Sequence, residues 1–133
     1  MASQPQILIW AGDAQRAQCI EAALGELLES GAIVCHHQQA PEDVIAAVLD
    51  SRADLLIADL GEVGPRGVTT LRSCRRVCPR LRLIAIATAF NEHFRRGVLP
   101  LGVHFYLATD FVEEELQESV RSALGLSPRG AAP

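Results

Sequence analysis

Asp59 closes the apolar run Leu55-Leu56-Ile57-Ala58, and Gly67 follows it eight residues later. A carboxylate at the end of a buried strand can accept a phosphoryl group, help to hold a divalent cation, or cap the amides of its own loop. The first use needs positive charge nearby, the second needs further oxygen ligands, and the third needs neither. Here the chain is unusual: it contains no lysine, and all 12 of its basic side chains are arginine. Arg66, in the loop after Asp59, is the guanidinium expected to reach back as a substitute. Thr88 brings a hydroxyl to the end of a second apolar run, and Tyr106 an aromatic hydroxyl to a third. Each also has a plain structural use, as a strand-end hydroxyl and as a half-buried strand aromatic.

Other chemistry is poorly supported. The four cysteines, Cys19, Cys35, Cys74 and Cys78, form no CxxC pair, so a zinc site shared with His36 and His37 lacks the usual spacing. Cys74 and Cys78 extend the apolar stripe of Val68 and Leu71 and are expected to face the core; His36-His37 is expected in an exposed loop past a strand end. Ala11-Gly12-Asp13-Ala14 is not a GxGxxG loop, which counts against a flavin or small-ligand module. No Ser/His/Asp or Cys/His set gathers at the strand ends, so the chain is expected not to be an enzyme.

Composition bounds the partners. The 133 residues are 49% apolar and 21% charged, as in a single globular domain, and the formal charge of −4 argues against a general nucleic-acid surface. Arg72, Arg75, Arg76, Arg80 and Arg82 therefore read as the solvated face of a helix. Glu113-Glu114-Glu115 suits the first turn of another, where negative charge favours the dipole. No window has about 18 uninterrupted apolar residues, and Ile7 to Ala11 reads as a strand rather than a signal-peptide core; no membrane contact and a cytoplasmic location are expected.

These residues must be positioned by alternating elements. Strands are expected at Ile7–Trp10, Ala32–Cys35, Asp54–Leu60, Leu81–Thr88 and Val103–Ala108. Between them, helical spacing runs from Ala17 to Leu28, from Pro41 through Val48, from Val68 to Cys78, weakly from Phe90 to Val98, and from Val112 to Leu124. Such alternation gives an α/β fold: a parallel sheet with helices on both faces and a functional crevice at the carboxyl ends of the strands. Phe90, Phe94, Val98, Leu99 and Leu101 either cover the sheet or form an exposed patch for a partner. Residues 127–133 read as a flexible tail or linker.

Several segments together resemble the receiver domain of two-component response regulators. Asp54 to Leu60 followed by Gly67 is similar to the family's third strand and phosphoacceptor. Ile84 to Ala89 is similar to the fourth strand with its Thr-Ala pair, and Gly102 to Leu107 to the approach to the fifth strand, with Tyr106 at the aromatic switch position. The resemblance covers about residues 6 to 125 and places a receiver-like domain at 1–126. It implies a five-stranded CheY-like, flavodoxin-like sheet in the order 2-1-3-4-5, with Asp59 as phosphoacceptor and Thr88 and Tyr106 as switch residues.

The departures concern charge. The family's acidic pair after the first strand falls on Ala11 and Gly12, with Asp13 one step beyond, and its lysine falls on Thr109. Asp59 and Asp13 would make at most a weak magnesium site, and no other cofactor is implied. The expected protein is an atypical receiver that signals by protein–protein contact. The resemblance implies a sensor kinase or output domain as partner, a homodimer, and service as the input domain of a transcription regulator, without direct nucleic-acid contact. The alternatives are a conventional phosphorelay receiver using Asp59, and a small-ligand or flavin-binding module.

Overall fold

The alternation of apolar residues along the strands decides which helix covers which face. In the computed structural model, which describes residues 4–50, 53–61, 65–87 and 96–126, five parallel strands form one sheet in the order β2-β1-β3-β4-β5. They are β1 (Gln6–Trp10), β2 (Val34–Gln38), β3 (Leu55–Gly61), β4 (Arg82–Ala87) and β5 (Phe105–Ala108). The helices are α1 (Ala14–Ala23), α2 (Gly25–Glu29), α3 (Pro41–Leu49), α4 (Pro65–Val77) and α5 (Glu113–Leu124); residues 96–98 are helical and run into a 3-10 turn at Leu99–Leu101.

Successive strand side chains point to opposite faces. Ile7, Ile9, Leu55, Ile57, Ile84 and Ile86 pack with Ile20, Leu24, Leu116 and Val120 under α1, α2 and α5. Leu8, Trp10, Leu56, Ala58, Leu83 and Ala85 pack on the other face with Val44, Val48, Leu71 and Cys74 of α3 and α4. Central strands buried on both faces must be apolar at every position, which is why the runs in the sequence are continuous.

Some element limits differ from expectation. The stretch from Ala17 to Leu28 is two helices, broken at Leu24. Gln117 of α5, 1% exposed, donates from Nε2 to the Ala23 carbonyl at 2.9 Å, so the break is satisfied by a neighbouring element. The second strand lies at Val34–Gln38, not Ala32–Cys35. His36 and His37 therefore stand inside it, opposite Leu8 and Ile9, rather than in a loop. They are tolerated because β2 is an edge strand and both are exposed. Gly67 lies in the first turn of α4, whose start at Pro65 precedes the expected Val68. Pro41 does open α3 at its first turn. The expected elements at Thr88 and Phe90 to Phe94, and the tail 127–133, fall outside the described residues.

Arg75 departs from the expected solvated face. It is half-buried, and its guanidinium donates to four main-chain carbonyls: Leu101 at 2.7 Å, Leu81 at 2.6 Å, Pro79 at 2.8 Å and Gly102 at 3.4 Å. It thereby ties the end of α4 to the segments entering β4 and β5. Nearby, Gly97 lies so close to α4 that a Cβ there would stand 2.9 Å from the Val68 side chain. A larger residue there would force Val68 or the backbone to shift.

Candidate functional site

The site begins with the ending of β3. Asp59 pairs with Ile86 and Gly61 with Ala87, so Leu60 is an extra residue at a β-bulge, and Gly61 takes a left-handed φ of +55° that suits glycine. Counting in twos from Leu55 and Ile57, Asp59 continues the face covered by α1 and α5. Its side chain is only 7% exposed. A carboxylate so buried needs a compensating charge.

Arg16 supplies it. Its Nε donates to Asp59 Oδ2 at 2.7 Å, its Nη2 donates to the Thr109 carbonyl at 2.8 Å, and its guanidinium lies 5.4 Å from the centre of the Phe111 ring. A planar guanidinium makes these three contacts at once, through two separate nitrogens and its face. The first turn of α1 aims it there. Asp13 is the N-cap, extended at φ −146°, and its Oδ1 accepts the Arg16 backbone N–H at 2.7 Å. One arginine thus joins the ends of β3 and β5 to the start of α1.

The sequence-derived site residues divide accordingly. Asp59, Asp13 and Thr109 come together around Arg16 at the carboxyl ends of the strands. Ala11 is fully buried one step past the Trp10–Ala58 pair, and Gly12 is exposed with open space around it. Thr109 donates its N–H to the Ala87 carbonyl at 3.1 Å, which holds the end of β5 against β4. Tyr106 is half-buried on the opposite face, packed with the cluster under α3 and α4. Thr88 lies outside the described residues.

The expectation that Arg66 reaches Asp59 is corrected. Arg66 is exposed on α4 and lines a groove with Glu42, Thr69 and Thr70. The reason is geometric: α4 covers the sheet face away from Asp59. Arg16 is the residue that sequence reasoning misses. Its signal is present, since the alternation through Leu55, Ile57 and Asp59 points to the α1 face and Arg16 stands three residues after a capping aspartate.

The donor set does not fit a magnesium ion. Asp13 is committed to its cap and Asp59 Oδ2 to a guanidinium, which leaves Asp59 Oδ1 as a buried acceptor with no hydrogen bond from the described residues. Octahedral magnesium needs carboxylates plus waters around an electronegative centre. Here the carboxylate's charge is already met by Arg16. No cluster of three or more His, Cys, Asp or Glu residues occurs among the described residues.

Burial disfavours the thiolate at two of the four cysteines. Cys74 is buried and Cys78 partly buried against the same cluster, as the stripe predicts. Burial, and then the neighbouring Cys78, pushes the Cys74 thiol up to about 11; burial, and then Glu21, pushes Cys35 up to about 12. No described helix is long and apolar enough to cross a membrane.

The sequence matches no family model and no curated protein. The architecture has many counterparts. A CheY-like response regulator receiver domain protein from Methanospirillum hungatei JF-1 superposes with a TM-score of 0.78 at 17% identity, over 92% of this chain and 95% of that one. A response regulator from Thermotoga maritima gives 0.75 at 14%, over 92% and 98%. A candidate pilus assembly-related protein from Burkholderia pseudomallei K96243 gives 0.76 at 16%, over 97% and 96%. Identities this low speak for architecture alone, and on that basis the chain has the fold of CheY-like response-regulator receiver domains.

Proposed function

We propose that this chain is an atypical receiver module that signals by protein–protein contact, and that Asp59 serves as the anchor of an internal ion pair rather than as a metal-dependent phosphoacceptor. The observation that carries this reading is the 2.7 Å contact between Arg16 Nε and Asp59 Oδ2. In-line phosphoryl transfer needs a free carboxylate oxygen and cations placed around the incoming phosphoryl group. Arg16 holds one oxygen, Oδ1 is buried, and the positions of the acidic pair are Ala11 and Gly12. A phosphoryl group would add about −1.5 to −2 charge with one already engaged guanidinium to receive it.

In this reading the chain has no enzymatic activity and no cofactor. Its partner is a protein: an output domain, a sensor kinase, or a second receiver. Service as the input domain of a transcription regulator fits the resemblance to response regulators. The name of the Burkholderia pseudomallei neighbour supports a second class of partner, an assembly apparatus. A cytoplasmic location goes with either.

The test is intact-mass analysis after incubation with a small phosphodonor and magnesium, beside Asp59→Asn. The expected result is no added phosphoryl group on either protein, with both folded. One phosphoryl group on the wild type alone would overturn the reading and restore a conventional phosphorelay receiver. A colourless preparation without bound ligand is expected as well, against a flavin or small-ligand module.

A further inference from the structure

Two exposed patches of opposite charge lie on opposite faces of the sheet. On α4, Arg72 and Arg76 stand one turn apart, with Arg80 just beyond the helix; all three are exposed and make no ion pair with the described residues. Val77, the last residue of the helix, is 40% exposed. On α5, Glu114 and Glu115 are exposed in the first turn and likewise carry no ion pair with the described residues, and Val112 at the N-cap is 58% exposed. Each helix end therefore presents exposed charge of one sign near an open aliphatic side chain.

We infer that the α4 patch docks the α5 patch of a second copy of this chain. Opposite charges steer such an encounter and fix its register, and the exposed Val77 and Val112 add apolar area to it. Because α4 and α5 cover opposite faces of the sheet, one contact leaves a basic patch free on one copy and an acidic patch free on the other. The association is head-to-tail and can add further copies. It goes beyond the reading of Asp59 and does not depend on how that carboxylate is used. A nucleic acid would be drawn to the α4 patch alone; the net charge of −4 and the matching acidic patch favour a second copy.

The test is sedimentation of the full chain across a concentration series. The expected result is concentration-dependent association at low salt, weakened about tenfold or more near 0.5 M salt. Arg72→Glu with Arg76→Glu should abolish it, as should Glu114→Arg with Glu115→Arg. Mixing the two reversed proteins should restore it, which also shows that both are folded. A monomer at all concentrations, association indifferent to the reversals, or no recovery on mixing two folded variants would overturn the inference. So would a monomeric chain that binds a mixed-sequence duplex through Arg72 and Arg76, since the patch would then belong to nucleic acid.

Discussion

Arg16 and Arg75 are both half-buried guanidiniums reaching out from helices, at opposite ends of the sheet, and they do different work. Arg75 meets four main-chain carbonyls and no carboxylate, joining the segments that enter β4 and β5. Arg16 meets one carbonyl and one buried carboxylate, joining the segments where β3 and β5 end. The first is a staple whose partners cannot change. The second is a charge balance whose partner is a side chain, so either member can be removed while the other stays. A chain without lysine can serve both ends because guanidinium presents five donors in a fixed fork.

That contrast can be broken in order of effect. Arg16→Ala leaves Asp59 buried and unpaired, and is expected to cost about 2–4 kcal/mol in urea unfolding. Adding Asp59→Ala should recover more than about 1 kcal/mol of that loss, because the stranded charge goes with it. If the two losses simply add, Arg16 and Asp59 are not coupled. Arg75→Ala is expected to cost less, about 1–3 kcal/mol, since neutral carbonyls lose a charged donor. No second substitution should rescue it, and Arg75→Lys should recover little.

A third effect depends on pH. The ordinary thiol value is 9.0, while burial raises Cys74 to about 11 and Cys35 to about 12. Above pH 9 the unfolded chain gives up protons that the folded chain keeps. The unfolded state then binds fewer protons, so stability falls as pH rises from about 9 towards 11 and 12. Denaturant midpoints taken at pH 8 and at pH 10 should show the fall, and Cys74→Ala should reduce it to the part that Cys35 contributes. The smallest effect belongs to the exposed Arg121–Glu118 pair at 3.2 Å: Glu118→Ala should shift stability by no more than about 0.5 kcal/mol, and a larger loss would mark Glu118 as part of something more than a surface pair.

Much of the site is legible in the amino-acid sequence. The continuous apolar runs mark the strands because a doubly covered parallel sheet leaves no room for polar residues in its middle. Asp59, Thr109 and the pair Ala11-Gly12 follow because the ends of such strands are where the pattern stops. Two departures from expectation have causes that lie in the sheet. Nearness along the chain points to Arg66, yet the sheet lies between its helix, α4, and the carboxylate. His36 and His37 fall outside the expected β2 for a similar reason, since an edge strand is drawn out by hydrogen bonds to β1 and not by its own polarity.

The amino-acid sequence determined the alternation of elements, the apolar content of the sheet and the absence of an acidic pair and a lysine, because these depend on local spacing and composition. The tertiary structure alone decided which cation meets Asp59. Arg16 and Asp59 are 43 residues apart, and Arg16 and Thr109 are 93. Only the crossover that lays α1 on one face of the sheet, and the capped turn that aims its third residue inward, brings them within hydrogen-bond reach.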